Sequence, residues 1–123
     1  MKITSFNPLI ATTDAEPLIS LFEELGFESR HTKEGISINN AKNIRMKDAN
    51  GFYLDISQPG VEFPRDLVAI RINVDDFDEA RKVFEEHGFK SNTGQIVEDS
   101  SSKSIGMYAP SGFQISLVEH IKK

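Results

Sequence analysis

The chain has 123 residues, 38% of them hydrophobic and 27% charged, with a formal net charge of −5; that length suits one compact domain. The acidic balance argues against a general nucleic-acid binder, which needs a basic footprint. The absence of cysteine excludes disulfides, thiolate metal sites and a cysteine nucleophile.

Taken in order, Ile3 to Thr12 alternates in character and predicts a strand, with Pro8, which lacks a backbone donor, expected at a sheet edge or a bulge. Asp14 is placed to cap a helix and Pro17 fits its first turn. Leu18, Ile19, Leu21, Phe22 and Leu25 form its apolar stripe, and Gly26 ends it in the left-handed conformation. Phe27 to Thr32 predicts a second strand, Lys33-Glu34-Gly35 a turn, and the polar stretch to Ala41 a loop. Asn43 to Lys47 is a third strand, Asp48-Ala49-Asn50-Gly51 a hairpin turn, and Phe52 to Ser57 a fourth strand with Phe52, Leu54 and Ile56 on one face.

Gln58 to Asp66 holds two prolines and a glycine and reads as a linker. The pattern then restarts. Leu67 to Val74 is a strand with Ile70, Ile72 and Val74 on one face; Asp76 and Glu79 have capping-box spacing. The helix that follows presents Phe77, Ala80, Val83 and Phe84 and is capped by Gly88. Phe89 to Val97 reads as a strand interrupted near Gly94, Glu98 to Ser102 as a polar loop, Lys103 to Tyr108 as a strand, Ala109 to Gly112 as a turn and Phe113 to Glu119 as the last strand.

The restart is visible in the letters themselves. FEELGFES at 22–29 returns as FEEHGFKS at 84–91, with six of eight positions identical, and Met46…Gly51-Phe52 returns as Met107…Gly112-Phe113. Repeats in one order at nearly one spacing fix architecture. The expected fold is therefore α+β, with two tandem βαβββ modules at about residues 1–58 and 67–123 joined by a linker at 59–66, within one domain.

A helix with one apolar stripe covers one face of its sheet, and strand side chains alternate between faces. The set left for the other face is polar over much of its length. It holds Asn7, Arg45, Lys47, Tyr53 and Asp55 from the first module and Arg71, Asn73, Tyr108, Gln114 and Ser116 from the second. Two such sheets curving together would enclose a polar cleft, a usual place for a ligand; the plainer alternative is a solvated sheet face. Arg45, Lys47 and Arg71 stand there against Asp55 alone, which favours an anion.

Units of this kind, ending their helices in LGF or HGF and entering the fourth strand through NGF or SGF, resemble the vicinal oxygen chelate superfamily over nearly the whole chain. That group includes glyoxalase I, extradiol dioxygenases and the fosfomycin- and bleomycin-resistance proteins. The resemblance implies a U-shaped mixed sheet around a ligand cavity, often completed in a homodimer. Metal-dependent members take ligands from first and fourth strands; the matching positions here are Asn7, Asp55, Ala69 and Ser116. Alanine binds no metal, serine is a poor ligand and one carboxylate falls short of a usual ligand set. The expectation is no metal and no cofactor, as in the bleomycin-resistance branch.

Among single residues, Asp55 reads either as a ligand-facing acceptor or base or as the ion-pair partner of Arg45 or Arg71. Arg71 reads as a grip for a carboxylate or phosphate, and Tyr53 and Tyr108 as stacking or packing rings. His87 suits the end of its helix, His120 follows the last strand, and His31 offers with Asp55 an alternative metal site. Catalytic residues are unknown; the candidate ligand-binding set is Asn7, Arg45, Tyr53, Asp55, Arg71, Tyr108 and Ser116. The leading expectation is a cytoplasmic homodimer that binds a small polar or anionic molecule, with neither nucleic acid nor membrane as partner. The N-terminal MKITSFNPLI lacks the apolar core of a signal peptide, and no run approaches the ~20 apolar residues of a membrane helix. The alternatives are a metal-dependent glyoxalase-like enzyme with an atypical site and a non-catalytic protein-interaction module.

Overall fold

The apolar stripes and alternating runs of the sequence become two helices and nine strands in the computed structural model, which describes residues 1–34, 41–60, 63–91, 94, 96–98 and 100–120. The order is β1 (Ile3–Ala11), α1 (Glu16–Glu24), β2 (Glu28–Glu34), β3 (Lys42–Lys47), β4 (Tyr53–Gln58), β5 (Leu67–Val74), α2 (Phe77–Glu86), β6 (Lys90–Ser91), β7 (Val97–Glu98), β8 (Ser102–Tyr108) and β9 (Gln114–His120). This is the expected βαβββ pattern twice over, with the second strand of the second copy split into β6 and β7. Contacts divide the chain into one unit of residues 7–68 and another formed by Met1–Phe6 together with residues 69–123.

In the unit of residues 7–68, β2 and β3 are antiparallel, β3 and β4 are antiparallel, and β4 runs parallel to β1. Ala15, Ile44, Met46, Leu54 and Ile56 are buried, with Ile10, Leu18, Ile19, Phe22 and Phe27 packed against them. The period of two thus directs Ile44, Met46, Leu54 and Ile56 onto the helix, as alternation requires. The helix seats itself more narrowly than its composition suggests. Leu21 and Leu25, assigned to the stripe, are 48% and 63% exposed because they flank the line centred on Phe22.

Local chemistry corrects three further expectations here. The N-cap of α1 is Ala15, not Asp14, and has no side-chain cap. The Ala15 N–H donates to the Gln58 side-chain oxygen at 2.9 Å, and Asp14, held in a turn by its N–H on Thr12 Oγ1, still accepts the Glu16 N–H of the first turn on its Oδ1 at 3.4 Å. Lys33 and Glu34 continue β2, paired with Asn43 and Lys42, rather than turning; the rest of the proposed loop, 35–40, lies outside the described residues. Phe52 is 64% exposed, because it closes the turn, its N–H on Asp48 Oδ1 and its carbonyl on Asp48 N. Pro8 lies in β1 just ahead of the residues that pair with β4. Its missing donor is tolerated because the ladder to β4 starts at Leu9.

In the other unit, β5 is parallel to β9, β8 is antiparallel to β9, and β6 and β7 both pair with β8. Ile72, Val74, Phe77, Ala80, Ile105, Met107, Ile115 and Leu117 form the core, with Ile70, Phe84 and Phe89 against it. Asp76 caps α2 by accepting from Glu79 N at 3.1 Å, as the spacing predicts. Val83, placed in the stripe, is 40% exposed, and Phe113 is 45% exposed at the mouth of its turn. Glu98 and Ser102 belong to strands rather than to the loop between them. The chain start is tied in by Lys2, whose N–H donates to Asp75 Oδ1 and whose carbonyl accepts from Asp75 N.

The repeated FEE(L/H)GF words prove to be helix terminators. In each, the amide of the second phenylalanine donates to the carbonyl of the first, and the glycine amide donates to the residue after that first phenylalanine. This is the double bond of a Schellman cap. The two rings then meet edge-on, at 5.5 Å for Phe22–Phe27 and 5.1 Å for Phe84–Phe89. Gly26 and Gly88 hold φ of 103° and 85°, and a Cβ at Gly88 would also meet Pro110 Cγ at 3.1 Å. Gly88→Ala should therefore lower stability by about 1–2 kcal/mol and by more than Gly26→Ala, where open space surrounds the position; urea-denaturation midpoints measure both.

Candidate functional site

The face of each sheet turned away from its helix carries the polar residues, and the two units equip it differently. In the unit of residues 7–68 that face is not simply solvated: Asn7 is 3% and Asp55 2% exposed. A carboxylate removed from water needs charge and hydrogen-bond donors to replace it. Arg45 supplies the charge. It stands directly opposite Asp55 in the β3–β4 ladder, and its Nη1 donates to Asp55 Oδ2 at 2.6 Å. Asn7 Nδ2 donates to the same oxygen at 2.6 Å and also to the Pro8 carbonyl at 2.8 Å. Asn7 Oδ1 in turn faces Arg45 Nη1 at 3.4 Å. The guanidinium lies 4.1 Å from the centre of the Tyr53 ring, over which Lys47 Nζ also sits at 5.2 Å.

Of the two arginines the sequence offered Asp55, Arg45 is shown paired with it. In the other unit, Arg71 donates through Nε to Asn73 Oδ1 at 2.9 Å, and Asn73 is buried. Arg71 lies opposite Ser116, and Ser116 lies opposite Gly106. This cross-strand row corresponds to Leu9, Asp55 and Arg45 in the first unit. One row therefore reads leucine, aspartate, arginine; the other reads arginine, serine, glycine. Gly106 is exposed, and a Cβ built on it meets nothing within 4 Å. Tyr108, half-buried, stands opposite Gln114 at the end of the same ladder.

Asn7, Arg45, Tyr53 and Asp55 are thus brought together in one unit, and Arg71 and Ser116 in the other. Sequence reading missed the bridging role of Asn7 and a matched pair of long-range ties. Gln58 takes the Ala15 amide, and Glu119 takes the Phe77 amide at 2.6 Å. Both acceptors stand at corresponding places in the repeat, near the end of the fourth strand of each module, and that shared spacing was the available signal. The side chain of His31 lies outside the described residues. His87 is the C-cap of α2, and His120 closes β9 opposite Ser102 rather than following the strand.

No family model matches the sequence, and no curated protein matches it either. Solved structures do match. Methylmalonyl-CoA epimerase from Mycobacterium tuberculosis is similar with a TM-score of 0.76 at 15% identity, over 98% of this chain and 90% of that one. A glyoxalase/bleomycin resistance protein/dioxygenase superfamily member from Vibrio splendidus 12B01 is similar at 0.58 and 20%, over 98% and 100%. A glyoxalase I mutant from Zea mays is similar at 0.69 and 17%, over 98% of this chain and 44% of that one. The chain has the fold of the vicinal oxygen chelate superfamily, as the repeated motifs implied.

The metal that this fold implies does not fit the donors present. Ala69 has none, Ser116 is a hydroxyl, and the Asp55 oxygen carries a guanidinium. Among the described residues no group of three or more His, Asp or Glu could hold a metal ion. Removing the cation while leaving the buried carboxylate should be severe: Arg45→Met is expected to cost about 3–5 kcal/mol. Tyr53→Leu, which removes only the ring under the guanidinium, should cost about 1 kcal/mol, both read from urea denaturation.

Proposed function

We propose that the protein binds a small polar or anionic molecule without a metal, as a resistance or carrier protein does. The observation that carries this reading is the row of Arg71, Ser116 and Gly106: a cation, a hydroxyl and an open position side by side on three adjacent strands. Glycine within a strand marks close approach by a ligand or another backbone, and a guanidinium suits a carboxylate or phosphate. The electrostatic basis is narrower than a count of residue types suggests. Arg45 is engaged by Asp55; Arg71, oriented through Nε by Asn73, is the arginine proposed to meet the anion, with Ser116 and Tyr108 as its polar company. The methylmalonyl-CoA epimerases of this fold are named for an anionic molecule, which makes acyl-CoA acids suitable members of a screen.

The molecule is further proposed to act as a homodimer in the cytoplasm, with neither nucleic acid nor membrane as partner. Ile3 and Phe6 on β1 are 55% and 63% exposed, and Val68 on β5 is 70% exposed; strand-borne apolar side chains of this kind favour self-association. Among the described residues no helix is long and apolar enough to cross a membrane. Light scattering at micromolar concentration should return twice the chain mass, and a monomer mass would count against the dimer.

A thermal-shift screen of small acids, phosphates, acyl-CoA acids and their neutral analogues, with and without metals, tests the binding reading. Anions should raise the midpoint more than neutral analogues do. Arg71→Met should weaken the best anion at least about tenfold, equivalent to 1.4 kcal/mol, whereas Lys82→Met on the exposed side of α2 should change nothing. Gly106→Val should leave the fold intact, since valine suits a strand, yet abolish binding by filling the open position. A family of variants with equal affinity would remove the anion reading.

A further inference from the structure

We propose that the Arg45 guanidinium is a built-in cation for Asp55, standing in for the divalent ion that metal-dependent members of this fold hold on the corresponding carboxylate. It deepens the metal-independent part of the reading above. It stands on the Asp55 cluster alone, whether or not the Arg71 row binds a ligand.

Two oxygens that a metal would use, Asp55 Oδ2 and Asn7 Oδ1, are already turned to the guanidinium. Asp55 Oδ2 accepts from both Arg45 Nη1 and Asn7 Nδ2 at 2.6 Å. The amide of Asn7 is oriented by two acceptors, Asp55 Oδ2 and the Pro8 carbonyl, which leaves its oxygen toward Arg45. A hard cation takes oxygen ligands, and reaching these two would mean displacing the guanidinium already seated on them. The surroundings oppose a second cation as well, because Lys47 Nζ shares the Tyr53 ring with Arg45.

The internal repeat provides a comparison within one molecule. The place of Asp55 is taken in the other unit by Ser116, and the place of Arg45 by Gly106. Carboxylate and arginine are present together in one copy and absent together from the other. That is the pattern expected if the arginine serves the carboxylate. Any ligand meeting this face then meets a neutralised pair and a ring, and is held by hydrogen bonds and stacking rather than by coordination to a metal.

The test uses untagged protein in two arms. In the first, wild-type protein is titrated with cobalt(II) and manganese(II), read by visible absorption and by NMR line broadening at the Asp55 amide. The expected result is no ligand-field bands and no selective broadening at Asp55. Uptake of one equivalent with broadening centred on Asp55 would overturn the proposal, and this arm needs no variant to fold. In the second, urea midpoints are compared for Arg45→Met, Asp55→Asn and the double variant. Asp55→Asn added to Arg45→Met should recover most of the lost midpoint, since it removes the stranded charge. A further loss on adding Asp55→Asn would show that the two residues act independently and would also overturn it. Anion shifts in the ligand screen are unaffected by either outcome, so the two readings fail separately.

Discussion

A single carboxylate taken out of water sets the terms for one whole sheet face. Asp55 is 2% exposed in the middle of β4, where an ionised group without partners would cost far more than a marginally stable domain can lose. Everything around it answers that cost. Arg45 stands opposite on β3, Asn7 reaches across from β1, and Tyr53, two residues away on the same strand, lies under the guanidinium. The alternation of the pleat makes this possible without disturbing the core: Leu54 and Ile56 point to α1 while Tyr53 and Asp55 point away.

The framework that presents this face is built twice by the same devices. Each helix ends in a Schellman cap closed by an edge-on phenylalanine pair. Each helix begins with an amide bound by a side chain from near the end of the fourth strand, Gln58 in one unit and Glu119 in the other. Both ends of both helices are thereby fastened, one locally and one over long range. The residues that do this lie on the helix side or at its ends, which leaves the opposite face free to diverge without loss of the scaffold.

Divergence is what that face shows. One copy holds the neutralised Asp55–Arg45 pair, and the other holds Arg71 beside a serine and a glycine at the same row of the ladder. The same architecture thus carries a carboxylate–guanidinium cluster in one unit and an arginine, a serine and a glycine at the same row in the other. Function on one architecture is decided by the residues on the face rather than by the fold.

What the sequence by itself determined is the local grammar: two copies of one unit, glycines at the left-handed helix ends, Asp76 as a cap, the hairpin at Asp48–Gly51 and the strand positions that face the helices. These follow from backbone sterics and short-range periodicity, which act over a few residues and so are written in consecutive letters. The family resemblance and the list of residues on the polar face were legible for the same reason, since a period of two assigns a face without knowledge of partners. Only the tertiary structure decided that Asp55 would pair with Arg45, that Asn7 would bridge the pair from 48 residues away, that Gln58 would take the Ala15 amide at the start of α1, and that Leu21, Leu25, Phe52 and Phe113 would stay exposed. Those outcomes turn on which side chains meet across strands far apart in the chain, and a residue's own neighbours in sequence carry no record of them.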